Sequence, residues 1–140
     1  MERNKRLNGA ALEKCDFEVS ELDFFWDQWP EEIKEKSQDC DLILAADVVY
    51  DKDITHNFFK TLKKLLSMSP KKALIAIEKR QRAGSNGQIV APNFEIFLQE
   101  LTALDNSRRV SVTSIEVDFK QYFKYSRVKE LTLFQIESFE

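Results

Sequence analysis

Two unbroken apolar runs stand out along the chain: Leu42 to Ala46, between Asp41 and Asp47, and Ala73 to Ile77, between Lys72 and Glu78. Short apolar runs bounded by charge are how strands buried on both faces of a parallel sheet read. Between them Ile54, Phe58, Phe59, Leu62, Leu65 and Leu66 recur at the spacing of one helical face, and Pro70 closes the segment. Phe94, Phe97, Leu98, Leu101 and Leu104 repeat that spacing after Pro92, whose missing N–H costs nothing in a first helical turn. Residues 81–91 hold Gly84, Ser85, Asn86 and Gly87 and read as a loop.

Nearer the start, residues 4–14 read as a polar helix or a helix end, and alternation over Asp16 to Leu22 predicts a short strand. An aromatic cluster of Phe24, Phe25, Trp26 and Trp29 follows, ended by Pro30, and then a charged loop or short helix, Glu31 to Asp39. Val110 to Phe119 and Glu130 to Ile136 are rich in β-formers with no helical spacing between them, which predicts an antiparallel pair joined by Lys120 to Lys129. Strands alternating with helices give an α/β sheet with parallel central strands and this antiparallel pair at its C-terminal side. Ligands of such sheets bind outside the carboxyl ends of the parallel strands. The residues there are Glu21 to Phe24, Ala46 to Asp51, and Glu78 to Arg80.

Composition narrows the chemistry. The 140 residues are 43% hydrophobic and 32% charged, which excludes global disorder and fits one domain's worth of chain. Only 3 glycines occur, Gly9, Gly84 and Gly87, so neither the glycine-rich dinucleotide fingerprint nor a P-loop can be written. Net charge is −3, split as −5 over residues 1–70 and +2 over residues 71–140, an asymmetry too mild for a nucleic-acid groove, which leaves a protein or small molecule as the expected partner and makes nucleic acid unlikely. Lys71, Lys72, Lys79, Arg80 and Arg82 flank one strand and are expected to face solvent. Cys15, Cys40 and the single His56 fall short of a structural zinc set, so no metal is expected. Two unpaired thiols point to a reducing compartment. The start of the chain has no apolar leader region, and nowhere do about 20 apolar residues run together. The expectation is an intracellular protein of nucleus or cytoplasm, monomeric and without a membrane contact.

The three strand ends together resemble those of a seven-stranded class I methyltransferase, in the methyltransferase-like protein-lysine methyltransferase family. Ala46-Asp47-Val48-Val49-Tyr50-Asp51 is the specific element; Leu22-Asp23-Phe24 and Glu78-Lys79-Arg80 are weaker. The resemblance implies a partial Rossmann-like methyltransferase sheet and S-adenosyl-L-methionine as cofactor. It implies that Asp23 and Phe24 pack on the cofactor's adenine, with Phe24 in place of the family's usual Trp, and that Ala46 lines the same pocket. It places Asp47 and Tyr50 at the substrate mouth as catalytic residues, and Glu78 with Arg80 along the channel for the lysine side chain of a protein substrate. The glycine-rich cofactor loop and the acidic ribose-binding residue of the family have no counterpart here. Residues 1–140 are therefore expected to be the C-terminal part of one methyltransferase domain, binding the cofactor weakly or not at all unaided.

That chemistry makes the residue types sensible. Methyl transfer to an amine is an in-line displacement in which the protein positions the amine and strips it of water. A lysine amine has a pKa of about 10.4 and must lose its proton first. A carboxylate such as Asp47 orients the ammonium, and the Tyr50 ring offers a face to the cation. Blander roles compete: a helix-capping acid for Asp47, core packing for the aromatics, a surface ion pair for Glu78 with Arg80, and a solvated cap for His56. At the level of the whole chain the alternatives are a truncated, non-catalytic interaction module and, last, a flavodoxin-like domain with Asp47 as acceptor.

Overall fold

The computed structural model describes residues 2–107, 109–126 and 128–139. Chain order is α1 (Glu2–Leu7), α2 (Gly9–Leu12), α3 (Glu31–Gln38), β1 (Leu42–Ala46), α4 (Lys52–Leu66), β2 (Lys72–Glu78), β3 (Arg82–Ala83), β4 (Ile89–Val90), α5 (Pro92–Asp105), β5 (Val110–Ile115) and β6 (Leu131–Ser138). The main sheet has the order β1-β2-β6-β5, with β1 parallel to β2, and β6 antiparallel to both β2 and β5. This is the expected α/β class, parallel at the centre and antiparallel on its C-terminal side, consistent with a partial Rossmann-like sheet.

The core lies on one face of that sheet. Ile43 and Ala45 of β1 stand beside Ala73 and Ile75 of β2, which pair in register with Ile136 and Phe134 of β6, while Ile77 pairs with Thr132. Phe58, Phe59, Leu62 and Leu66 of α4 and Phe97, Leu101 and Leu104 of α5 close over them as a single cluster. Phe24, Phe58, Phe59, Phe97 and Phe134 form a chain of ring contacts with centroids 5.2–5.5 Å apart, in the edge and tilted geometries that the ring quadrupole favours. Helix α4 starts where Asp51 caps it, its carboxylate accepting from the Ile54 N–H at 2.8 Å.

Four expectations need correction. The alternation over 16–22 survives as half-buried Phe17 and Val19 between exposed neighbours, but no ladder forms there. Alternation fixes which side chains turn inward; it does not supply a partner strand. Strand β1 is buried on one face only, with Leu42 47% and Leu44 72% exposed, because it lies at the sheet edge and both core helices sit on the other side. Lys71, expected in solvent, is 4% exposed: its ammonium donates to the Gln38 and Cys40 carbonyls and to Ser69 Oγ at 2.5–3.1 Å, so the buried charge is fully hydrogen-bonded. The 81–91 loop folds as a small hairpin in which Arg82 pairs with Val90 and Ala83 with Ile89. Among the described residues no helix is long and apolar enough to cross a membrane. Cys15 and Cys40 are free thiols.

Candidate functional site

The parallel pairing of β1 with β2 brings two strand ends side by side. Asp47 follows β1 directly and keeps its N–H on the Ala76 carbonyl at 3.0 Å, so the ladder holds one residue past the strand while the chain turns. The turn is made in the left-handed region, φ 54° at Asp47, which a short polar side chain tolerates better than most. The carboxylate then points along the rim toward β2's end. There Arg80 Nη2 donates to Asp47 Oδ2 at 2.7 Å, its Nε lies 4.0 Å from Glu78 Oε2, and the guanidinium sits 5.5 Å from the centroid of the Tyr50 ring. Four of the predicted site residues, Asp47, Tyr50, Glu78 and Arg80, are thus one cluster with Arg80 as its hub.

Beneath Tyr50 and Glu78 lies a cavity of about 140 Å³. Val49, Ile77 and Phe94 give it an apolar floor, and Tyr50, Glu78, Arg80, Gln81, Arg82 and Asn93 a polar rim; Asp47 lies beside it, through Arg80, and does not line it. Pockets that enclose a whole small molecule run to roughly 300–1,000 Å³, so this one has room for a group of about side-chain size. Asn93 belongs to the site and was not anticipated. Its Nδ2 donates to the Tyr50 carbonyl at 2.5 Å, tying the start of α5 to the turn after β1. The signal was available: Pro92 marks a helix start, and the helix that follows a parallel strand begins at that strand's carboxyl end. Lys79 Nζ lies 5.6 Å from the Phe94 ring on the same rim.

The three residues expected at the cofactor are placed differently. The Asp23 carboxylate accepts from the Phe25 N–H at 2.9 Å, closing a local turn with Trp26 N–H on the Asp23 carbonyl. The Phe24 ring packs edge-on against Phe58 of α4 with centroids 5.5 Å apart. The loop is held from below, since Lys60 pairs with Asp27 at 2.9 Å, Lys64 donates to the Asp27 carbonyl, and Lys64 stands 4.3 Å over buried Trp29. The Lys60 hydrogen bond, reinforced by the charges of Lys60 and Lys64, holds the Asp27 carboxyl below its usual range. Ala46 points to the opposite, exposed face of β1. Asp23 is exposed with its carboxylate held by its own loop, Phe24 packs toward α4 and Ala46 lies on the exposed face of β1, so the three side chains do not converge on one pocket among the described residues.

Comparison with known proteins agrees with the strand-end pattern. A family model described as lysine methyltransferase matches residues 1–87. The chain is 31% identical over 120 residues to methyltransferase-like protein 22 of Mus musculus, covering 81% of this chain and 30% of that protein. The same identity and stretch hold for methyltransferase-like protein 22 of Homo sapiens, of which 29% is covered. The chain therefore spans less than a third of the length of these relatives.

Proposed function

The chain belongs to the lysine methyltransferase family, and from that premise we propose that its rim cluster is the amine-handling side of a protein-lysine methyl transfer, using S-adenosyl-L-methionine as donor. The observation that carries this reading is the convergence of a carboxylate, an aromatic face and an apolar slot at one strand end. Asp47 attracts and orients an incoming ammonium, and the Tyr50 ring receives it. Val49, Ile77 and Phe94 desolvate the aliphatic stem, and the amine passes its proton to water before attack, because the Asp47 carboxylate that orients the ammonium favours its charged form. Arg80 occupies the place between Asp47 and Tyr50 that such an ammonium would take. A substrate lysine therefore has to displace the guanidinium, and half-exposed Arg80 has room to swing out.

The test separates the two sides of the reaction. n-Butylammonium, a mimic of the lysine side chain, is titrated into the chain while the Asp47 carboxyl and Tyr50 ring signals are followed by NMR. Saturable shifts at both residues, abolished by Asp47→Asn, are expected; shifts that survive the substitution, or none in the native chain, refute the proposal. Calorimetry with S-adenosyl-L-methionine is expected to show no measurable binding by these residues alone, and micromolar affinity would overturn the placement of Asp23, Phe24 and Ala46. A second reading, a non-catalytic interaction module, draws on the exposed leucines of β1. It predicts no response to the amine.

A further inference from the structure

Strand β6 runs antiparallel to β2, so its first residue, Leu131, pairs with Glu78, the last residue of β2. The Lys79 N–H donates to the Glu130 carbonyl at 2.9 Å, one residue further out. The connection between β5 and β6 therefore ends on the same rim as Asp47, Tyr50 and Arg80. Glu130 lines a shallow depression with Glu78, Lys79 and Arg80 that makes the loop continuous with the site.

The loop has an unusual make-up for that position. From Lys120 to Lys129 the sequence holds four Lys or Arg and no Asp or Glu, in a chain of net charge −3. Lys120, Lys124 and Lys129 are exposed; Arg127 lies outside the described residues. Interleaved with them, Tyr122 is 87%, Phe123 79% and Tyr125 58% exposed. Three adjacent aromatics turned to water are costly unless something covers them, and singly scattered surface apolar residues would not gather in this way. Nor is the display the result of a slack chain. Gln121 Nε2 donates to the carbonyls of Phe123 and Tyr125 at 2.7 and 2.5 Å, and the Leu131 N–H to the Val128 carbonyl at 3.3 Å, so the backbone is pinned with its rings outward.

We propose that the exposed residues Lys120, Tyr122, Phe123, Lys124, Tyr125 and Lys129 of this loop form a docking surface for an acidic, aromatic-bearing segment of a protein, and that it selects the substrate whose lysine enters the rim cavity. This rests on the amine-handling reading of the rim. Charge complementarity supplies the choice of occupant: a short cationic island on an anionic chain attracts a short anionic segment and steers its approach. Phenol hydroxyls at Tyr122 and Tyr125 add donors for carboxylates, and Tyr and Phe are among the residues enriched where proteins meet. A nucleic-acid strand would instead meet four cations in ten residues and an anionic remainder, with no continued groove. Residues 119–129 lie outside 1–87, the part that the family model matches.

Fluorescence anisotropy tests the proposal with a labelled peptide of about twelve residues carrying six glutamates, one tyrosine and no lysine. Binding by the native chain is expected, weakened about tenfold by Lys120→Glu with Lys124→Glu, and clearly reduced by Tyr122→Ala with Phe123→Ala, while a glutamine version of the peptide binds poorly. All four positions are exposed, and an unchanged circular dichroism melt confirms that the variants fold. Affinity unchanged by charge reversal overturns the proposal, as does tighter binding through the same residues by single-stranded RNA or phosphatidylserine vesicles. Because this peptide lacks an amine side chain, its result is independent of Asp47. A version with one central lysine is expected to gain affinity that Asp47→Asn removes, so failure of the amine reading would be seen there and failure of the docking surface in the lysine-free peptide.

Discussion

Asp47 combines a backbone role and a chemical one, and substitutions separate them. Its left-handed φ of 54° disfavours Ala, whose Cβ meets the following carbonyl at a cost of about 1 kcal/mol, while Asn tolerates the region. Asp47→Asn should therefore change folding stability by less than about 0.5 kcal/mol, whereas Asp47→Ala should lose about 1 kcal/mol and Asp47→Gly should recover it. Urea denaturation of the three variants checks this order. If Asn is as costly as Ala, the 2.7 Å contact with Arg80 is holding the fold, and the carboxylate's main part is structural.

Helices α4 and α5 are clamped by a carboxylate as well as by their rings. Glu100 of α5 accepts from His56 at 2.7 Å and from Lys63 at 3.0 Å, both on α4. Partial burial pushes the Glu100 carboxyl up, but the hydrogen bonds and charges of Lys63 and His56 outweigh it and hold its pKa below the usual glutamate value. The folded state thus binds this proton less readily than the unfolded chain. The stabilisation is fully present above the unfolded pKa of about 4.3 and is lost as pH falls through the lower folded value. Glu100→Gln is expected to cost about 1 kcal/mol near neutrality, and the gap to the native chain should narrow as the pH is lowered from about 5 to below the unfolded value of about 4.3. Thermal melts across that range decide it; a gap that stays constant would mean that the clamp is not ionic. His56, expected as a solvated cap, is one of its jaws, because the helical spacing that placed it on α4 could not show which side chain of α5 stands opposite.

At the scale of the molecule the sheet is two-faced. One face is packed by α4 and α5; the other shows Leu42 and Leu44 to solvent at an edge strand. An exposed apolar edge is a template for unwanted pairing. Leu44→Lys is therefore expected to leave folding stability within about 0.5 kcal/mol of the native value and to raise the concentration at which the chain self-associates, measured by sedimentation velocity. A loss of several kcal/mol would show that the face is covered in solution. The sequence by itself determined the order of the main elements, because each apolar run and each helical stripe carries its period locally: β1, α4, β2, α5 and the terminal β pair are readable from spacing, whereas the β3–β4 hairpin is not. It also singled out the strand ends, and Asp47, Tyr50, Glu78 and Arg80 do meet there. Pairing and sidedness were decided only by the tertiary structure. An apolar run reads alike whether one face is covered or two, so β1's open face was invisible, as was the missing ladder at 16–22. Lys71's burial and Asn93's reach to Tyr50 depend on carbonyls 31 to 43 residues away along the chain. No local pattern encodes such contacts, since they exist only once the sheet has set which loops share a rim.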